Sequence, residues 1–147
     1  MGTERITEYG NLKLARFMGG EITRTETFVM PHGSHHEVTI NTWNPPQGLN
    51  HLQQVEARMG TFKYDSDWNW LFSIIDRIES LGFNFVISRK GIQVWRFPGN
   101  QATDLIIDDD LLDDYTGDDK LLICMSVCVS FVEWYEKQNK TKDDERL

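Results

Sequence analysis

Residues 67–96 read DWNWLFSIIDRIESLGFNFVISRKGIQVWR, and two different periodicities succeed one another within them. Trp68, Leu71, Ile74, Ile75, Ile78 and Leu81 recur at helical spacing and form one apolar stripe, which predicts a helix over Asp67–Leu81. Ser66 or Asp67 is suited to cap its first-turn N–H groups, and Gly82 stands where a helix ends. Phe83, Phe85 and Ile87 then alternate, as do Ile92, Val94 and Arg96 beyond the turn chemistry of Ser88–Gly91. A helix feeding a hairpin defines an α+β chain.

The flanks extend this pattern. Asn11–Met18 predicts a short helix ended by Gly19-Gly20, and the β-branched run Ile22–Met30 predicts a strand. Pro31–His36 reads as a loop and Glu37–Trp43 as the returning strand of an antiparallel hairpin. Asn44–Gly48 breaks regular structure, and Leu49–Met59 fits either a short helix or an irregular segment. On the other side, Asp104–Ile107 fits one more strand, and Asp118 or Asp119 can cap a helix over Leu121–Gln138. The expected fold is α+β: a small, mainly antiparallel sheet of four or five strands with the two principal helices packed on one face. One domain spans residues 1–138, and 139–147 form a polar, frayed tail.

In the last helix, Ser126, Ser130 and Glu133 make a single narrow polar strip. The remaining surface carries two apolar stripes: Leu121, Met125, Cys128, Val132 and Tyr135 form one, and Ile123, Val127, Phe131 and Trp134 the other. One sheet face buries one stripe, so the second predicts a homodimer contact or a cover from the Asn11–Met18 helix or the 44–63 segment.

The 147 residues carry 23 acids and 15 bases, for a net charge of −8. Residues 1–97 hold ten of each sign, so the whole excess lies in 98–147. No Lys/Arg cluster exists to neutralise phosphates, which argues against direct nucleic-acid binding and against attraction to an anionic membrane. The N-terminal MGTERITEYG lacks the apolar core of a secretory signal, and Ile6 breaks the myristoylation pattern. The apolar run Leu121–Tyr135 has fifteen residues. A membrane-spanning helix needs about twenty. These features predict a cytoplasmic protein. Cys124 and Cys128 lie four apart in the apolar helix, a poor geometry for a disulfide, and are expected as reduced, buried thiols.

Three patches, NLKLARFMG (11–19), YDSDWNWL (64–71) and FVEWY (131–135), occur in this order. Together they resemble a group of small proteins of gut Bacteroidetes and their phages and mobile elements. That group has an LIAEFMG-like start, a YHSSWDWL-like middle motif and a VVEFIKWYN-like final helix. Asp65 and Asp67 stand here where the middle motif usually has His and Ser. The resemblance covers anchor points of the fold, not residues 20–63 or 98–119, and implies no catalytic residue.

Candidate chemistry is sparse. His32, His35 and His36 form the one histidine cluster, of a kind that binds zinc or nickel, with His51 apart from it. Neighbouring residues on a strand point to opposite faces, and no cysteine is near to complete a four-ligand site, so a polar hairpin tip is the expected role. The acid-rich run Asp104–Asp119 does not fit a calcium loop, since Tyr115 and Gly117 fall on ligand positions counted from Asp113. It reads as a solvated surface loop. A sharper reading has Asp108, Asp109, Asp110, Asp113 and Asp114 imitating a phosphate backbone in a basic groove of another protein. No G-x-S-x-G, P-loop, G-x-G-x-x-G or H-E-x-x-H pattern is present. Five tryptophans offer stacking surfaces; Trp70, two residues off the Trp68/Leu71 stripe, is the best placed for exposure and partner contact. The expectation is a non-catalytic binding protein with a protein partner and no cofactor, an accessory factor of a phage or mobile element that engages a host protein. The alternative is a small-ligand, nucleotide-like binder or modest enzyme with an aromatic-lined pocket.

Overall fold

A computed structural model describes residues 3–29, 37–88, 91–96, 104–110 and 117–145. Its elements are α1 (Thr3–Phe17), β1 (Glu21–Val29), β2 (Glu37–Asn44), α2 (His51–Arg58), α3 (Trp68–Ser80), β3 (Phe83–Ile87), β4 (Gly91–Arg96), β5 (Leu105–Asp110) and α4 (Gly117–Glu145). The five strands divide in two. β1 and β2 form a separate antiparallel ribbon, and β3-β4-β5 form a three-stranded antiparallel sheet with β4 in the centre.

Local chemistry explains the clearest elements. Asp67 caps α3, its carboxylate accepting from the Asn69 N–H at 2.9 Å. Gly82, at φ +98°, turns the chain out of α3 into β3. α2 is a helix because Asn50 and Gln53 make a reciprocal capping box, each side chain accepting from the other's backbone N–H at 2.9 Å. α1 starts at Thr3, well before the expected Asn11, and runs through Gly10. Its lack of a side chain serves packing: a Cβ there would stand 2.6 Å from Met125 Cε and 3.3 Å from Val129 Cγ2 on α4. α4 likewise begins at Gly117, so Asp118 and Asp119 lie inside its first turn, and its helical backbone continues past Gln138 to Glu145.

α3 and α4 cover the three-stranded sheet, and α1 lies on α4. Phe131 sits fully buried where these layers meet, edge-on to Phe17 of α1 (6.4 Å) and to Phe83 of β3 (4.9 Å). Around it, Trp134 and Tyr135 complete an aromatic cluster, and the Arg96 guanidinium lies 5.9 Å from the Trp134 ring. Val127 and Phe131, from the second stripe of α4, are buried within the single chain, while Ser126, Ser130 and Glu133 form its exposed strip. At the rim, Lys13 Nζ donates to Glu136 Oε2 at 2.6 Å and the Tyr9 hydroxyl to Glu133 Oε1 at 3.4 Å, tying α1 to α4. α1 meets α4 through Gly10 against Met125 and Val129 and through Phe17 against Phe131 and Tyr135, while Phe131 and Trp134 of the second stripe also meet Phe83 of β3.

Two buried side-chain atoms, the Tyr64 hydroxyl and Asn11 Oδ1, have no hydrogen-bond partner among the described residues. Tyr64 is fully buried, its hydroxyl has no hydrogen-bond partner among the described residues, and burial raises the phenol above its ordinary pKa. Tyr64→Phe removes that orphan at nearly constant shape. It is expected to leave stability unchanged or raise it by about 1 kcal/mol. A clear drop in melting temperature would show that the hydroxyl is satisfied.

Candidate functional site

The residues singled out by sequence do not converge on one place. Trp70 is the plainest correction. It is 0% exposed and packs edge-on against Tyr64 at 5.2 Å, so it is no partner contact. The buried arc of α3 is wider than one stripe, and Trp70 shares the ridge of Ile74 and Ile78 at four-residue spacing. The outward aromatics of this helix are Phe72, 48% exposed, and half-buried Trp68, with rings 5.7 Å apart.

Asp108, Asp109 and Asp110 also depart from expectation: they belong to β5, not to a solvated loop. β5 pairs with β4 in the register Gln93↔Asp108, Ile92↔Asp109 and Gly91↔Asp110. Backbone pairing to a buried central strand overrides the low strand propensity of aspartate, and acids on an edge strand discourage further strand addition. On the sheet face away from Ile92 and Val94, the Trp95 indole N–H donates to Gln93 Oε1 at 3.0 Å. Gln93 Nε2 in turn donates to Asp108 Oδ1 at 3.1 Å. Asp108 therefore fixes the amide that orients a tryptophan. Asp113 and Asp114 lie outside the described residues, as do His32, His35 and His36. His51 is exposed at the start of α2. Among the described residues no three metal-capable side chains come together.

Cys124 and Cys128 are free and buried. Burial, aided by a hydrogen bond with Cys124, raises the Cys128 thiol well above its ordinary pKa, so it keeps its proton at neutral pH and is not a nucleophile. Native protein is expected to resist iodoacetamide at pH 7–8, with both thiols alkylated only after denaturation. Mass spectrometry reads this directly, and rapid native alkylation of either thiol would contradict it.

Two surfaces emerge that sequence reading missed. In the ribbon, the register Phe28↔Val38 and Glu26↔Ile40 puts Phe28, Val38 and Ile40 on one face. They are 46%, 39% and 51% exposed. The opposite face carries Thr25, Thr27, Thr39 and Asn41, the Thr25 hydroxyl donating to Asn41 Oδ1 at 3.0 Å, with exposed Val29 opposite Glu37 at its end. Strand alternation was visible in sequence, but it does not say which face the rest of the chain leaves bare. On α2 and its cap, Leu52, Val55 and Met59 are exposed at helical spacing, while Gln53 and Ala57 point inward. The other feature is a cleft of about 280 Å³ between α1 and the segment after α2, lined by Thr7, Glu8, Asn11, Leu12, Gly60 and Phe62. Among the described residues, its wall carries one aromatic ring, that of Phe62.

No helix among the described residues is long and apolar enough to cross a membrane. Comparison with protein-family models, with curated proteins and with solved structures finds no match.

Proposed function

We propose that this chain is a non-catalytic binding protein that docks another protein on the apolar face of the β1–β2 ribbon. The observation that carries this is the exposure of Phe28, Val38 and Ile40 on one side of a two-stranded ribbon. Such a ribbon is marginal by itself, and apolar residues gathered on one bare face mark interaction surfaces. Glu26 pairs with Arg24 on that face, and Glu37 stands opposite Val29 near the far end. Because Glu21, Glu26 and Glu37 outnumber Arg24 on the ribbon, the partner that fits is a protein presenting an apolar patch bordered by Lys and Arg. Asp108, exposed on β5, offers the same partner or another basic protein a further contact. A cytoplasmic setting and an accessory role toward a host protein complete the proposal, supported by the resemblance of the three sequence patches.

The test is affinity capture from the native host with wild type and with the double variant Phe28→Glu/Ile40→Glu. These side chains are exposed, so the variant is expected to melt within about 1 kcal/mol of wild type. It is expected to lose at least about 2 kcal/mol of affinity for a stoichiometric partner, the loss typical of an interface hot spot. Undiminished capture by the variant removes the ribbon from the interface. A wild type that sediments as a dimer, and a variant that does not, would assign the face to a second copy.

A further inference from the structure

The three-stranded sheet ends in two unlike edges. On one, β5 carries Asp108, Asp109 and Asp110, charges that discourage another strand from adding there. On the other, β3 reads FNFVI, without the charges, prolines or bulges that guard an edge. Its register with β4 decides which backbone groups it leaves over. The Ser88 N–H donates to the Gly91 carbonyl at 2.9 Å across the turn, so Asn84 and Val86 make the ladder bonds to β4. The N–H and C=O groups of Phe83, Phe85 and Ile87 therefore point away from β4, and no backbone group beyond the ladder bonds to them among the described residues.

The side chains tell the same story. Phe83, Phe85 and Ile87 lie on the helix-covered face but are only partly buried, whereas Ile92 and Val94 beside them on β4 are 0% exposed. A row of outward backbone groups beside a row of half-covered apolar side chains fits a further strand. A strand of the same sequence fits both rows. Antiparallel pairing about a two-fold axis at Phe85 sets Phe85 against the partner's Phe85, and Phe83 against the partner's Ile87, so every outward group is satisfied at once. The helix-covered faces of the two sheets then lie on one side, and the seam carries no charge. The Asp-bearing β5 edges lie outermost and stop further growth, which closes the assembly at two. We infer that β3 is a dimer seam, through which a second copy of this chain joins its sheet to form one antiparallel sheet of six strands. The seam shares no residue with the ribbon face, so either stands if the other fails.

Sedimentation of the full chain from about 1 to 300 μM tests this, a range suited to a seam at the small end of protein interfaces. A monomer–dimer equilibrium is expected, unchanged in Phe28→Glu/Ile40→Glu. Asn84 and Val86 project from the sheet face opposite Ile92 and Val94, and each would stand opposite the other across the seam. Asn84→Lys/Val86→Lys should therefore weaken dimerisation by about tenfold or more through facing like charges, with the circular dichroism spectrum unchanged. Asn84→Glu/Val86→Glu should do the same. An equimolar mixture of the two should recover the dimer as a heterodimer, which a general loss of stability does not produce. Oxidation of Asn84→Cys mixed with Val86→Cys should give a covalent dimer, because facing Cα atoms of a non-hydrogen-bonded pair lie about 4.5 Å apart. A chain that stays monomeric throughout overturns the inference, and would leave the edge to a strand from elsewhere in the chain or from another protein. So does a dimer that the lysines leave intact, or a Lys/Glu mixture that stays monomeric.

Discussion

Trp70→Ala is expected to remove about 3–5 kcal/mol of folding stability, the cost of truncating a large, fully buried aromatic. Trp70 is 0% exposed and is the largest fully buried side chain in the described structure. Its loss leaves a cavity beneath Tyr64, which then keeps a buried hydroxyl without its edge-on ring partner. The surroundings are poorly able to collapse, because α3 is held at one end by the Asp67 cap and at the other by the turn at Gly82. Phe72→Ala, two residues away and half exposed, is the matched control and is expected to cost about 1 kcal/mol or less. Urea denaturation of the three proteins measures both values. Equal, small losses at the two positions would show that Trp70 faces outward after all.

Phe131→Ala is expected to cost a similar amount, about 3–5 kcal/mol, but by a different route. Phe131 touches rings from three directions: Phe17 on α1, Phe83 on β3, and Trp134 and Tyr135 on its own helix. Truncation therefore loosens the contact of α1 with α4 and of α4 with the sheet at once. Edge-to-face pairs contribute about 0.5–1.5 kcal/mol beyond area burial, so a double-mutant cycle of Phe131→Ala with Phe83→Ala should return a coupling energy of that order. Hydrogen exchange is expected to accelerate in α1 more than in α3, since α1 joins the core chiefly through α4. Uniform acceleration across all helices would mean that α1 opens only together with the rest of the fold.

What could be read from sequence follows from where its information is local. The α3 helix, its aspartate cap and its glycine stop are settled within a few residues, as are the β3–β4 alternation and the polar strip Ser126–Ser130–Glu133. The α2 helix was equally legible in principle, because Asn50 and Gln53 spell a capping box. The unsatisfied Asn11 amide was not. Asn11 lies in a sequence patch noted for its resemblance, yet nothing in the patch reveals an amide oxygen without a donor.

Sequence by itself determined the α+β composition, the positions of the principal helices and hairpins, and the reduced, buried setting of the two cysteines. It did so because hydrogen-bonded turns, caps and side-chain periodicity act between near neighbours. Only the tertiary structure decided that Trp70 points inward and that the strands split into a ribbon and a three-stranded sheet. It also decided that Asp108–Asp110 extend that sheet, and that Phe131 and Trp134 of α4 meet Phe83 of the sheet within the chain. Periodicity states which residues share a face, but burial depends on what the rest of the chain lays against it. The same limit hid the exposed face of the ribbon: alternation puts Phe28, Val38 and Ile40 on one face, but only the structure shows that face exposed.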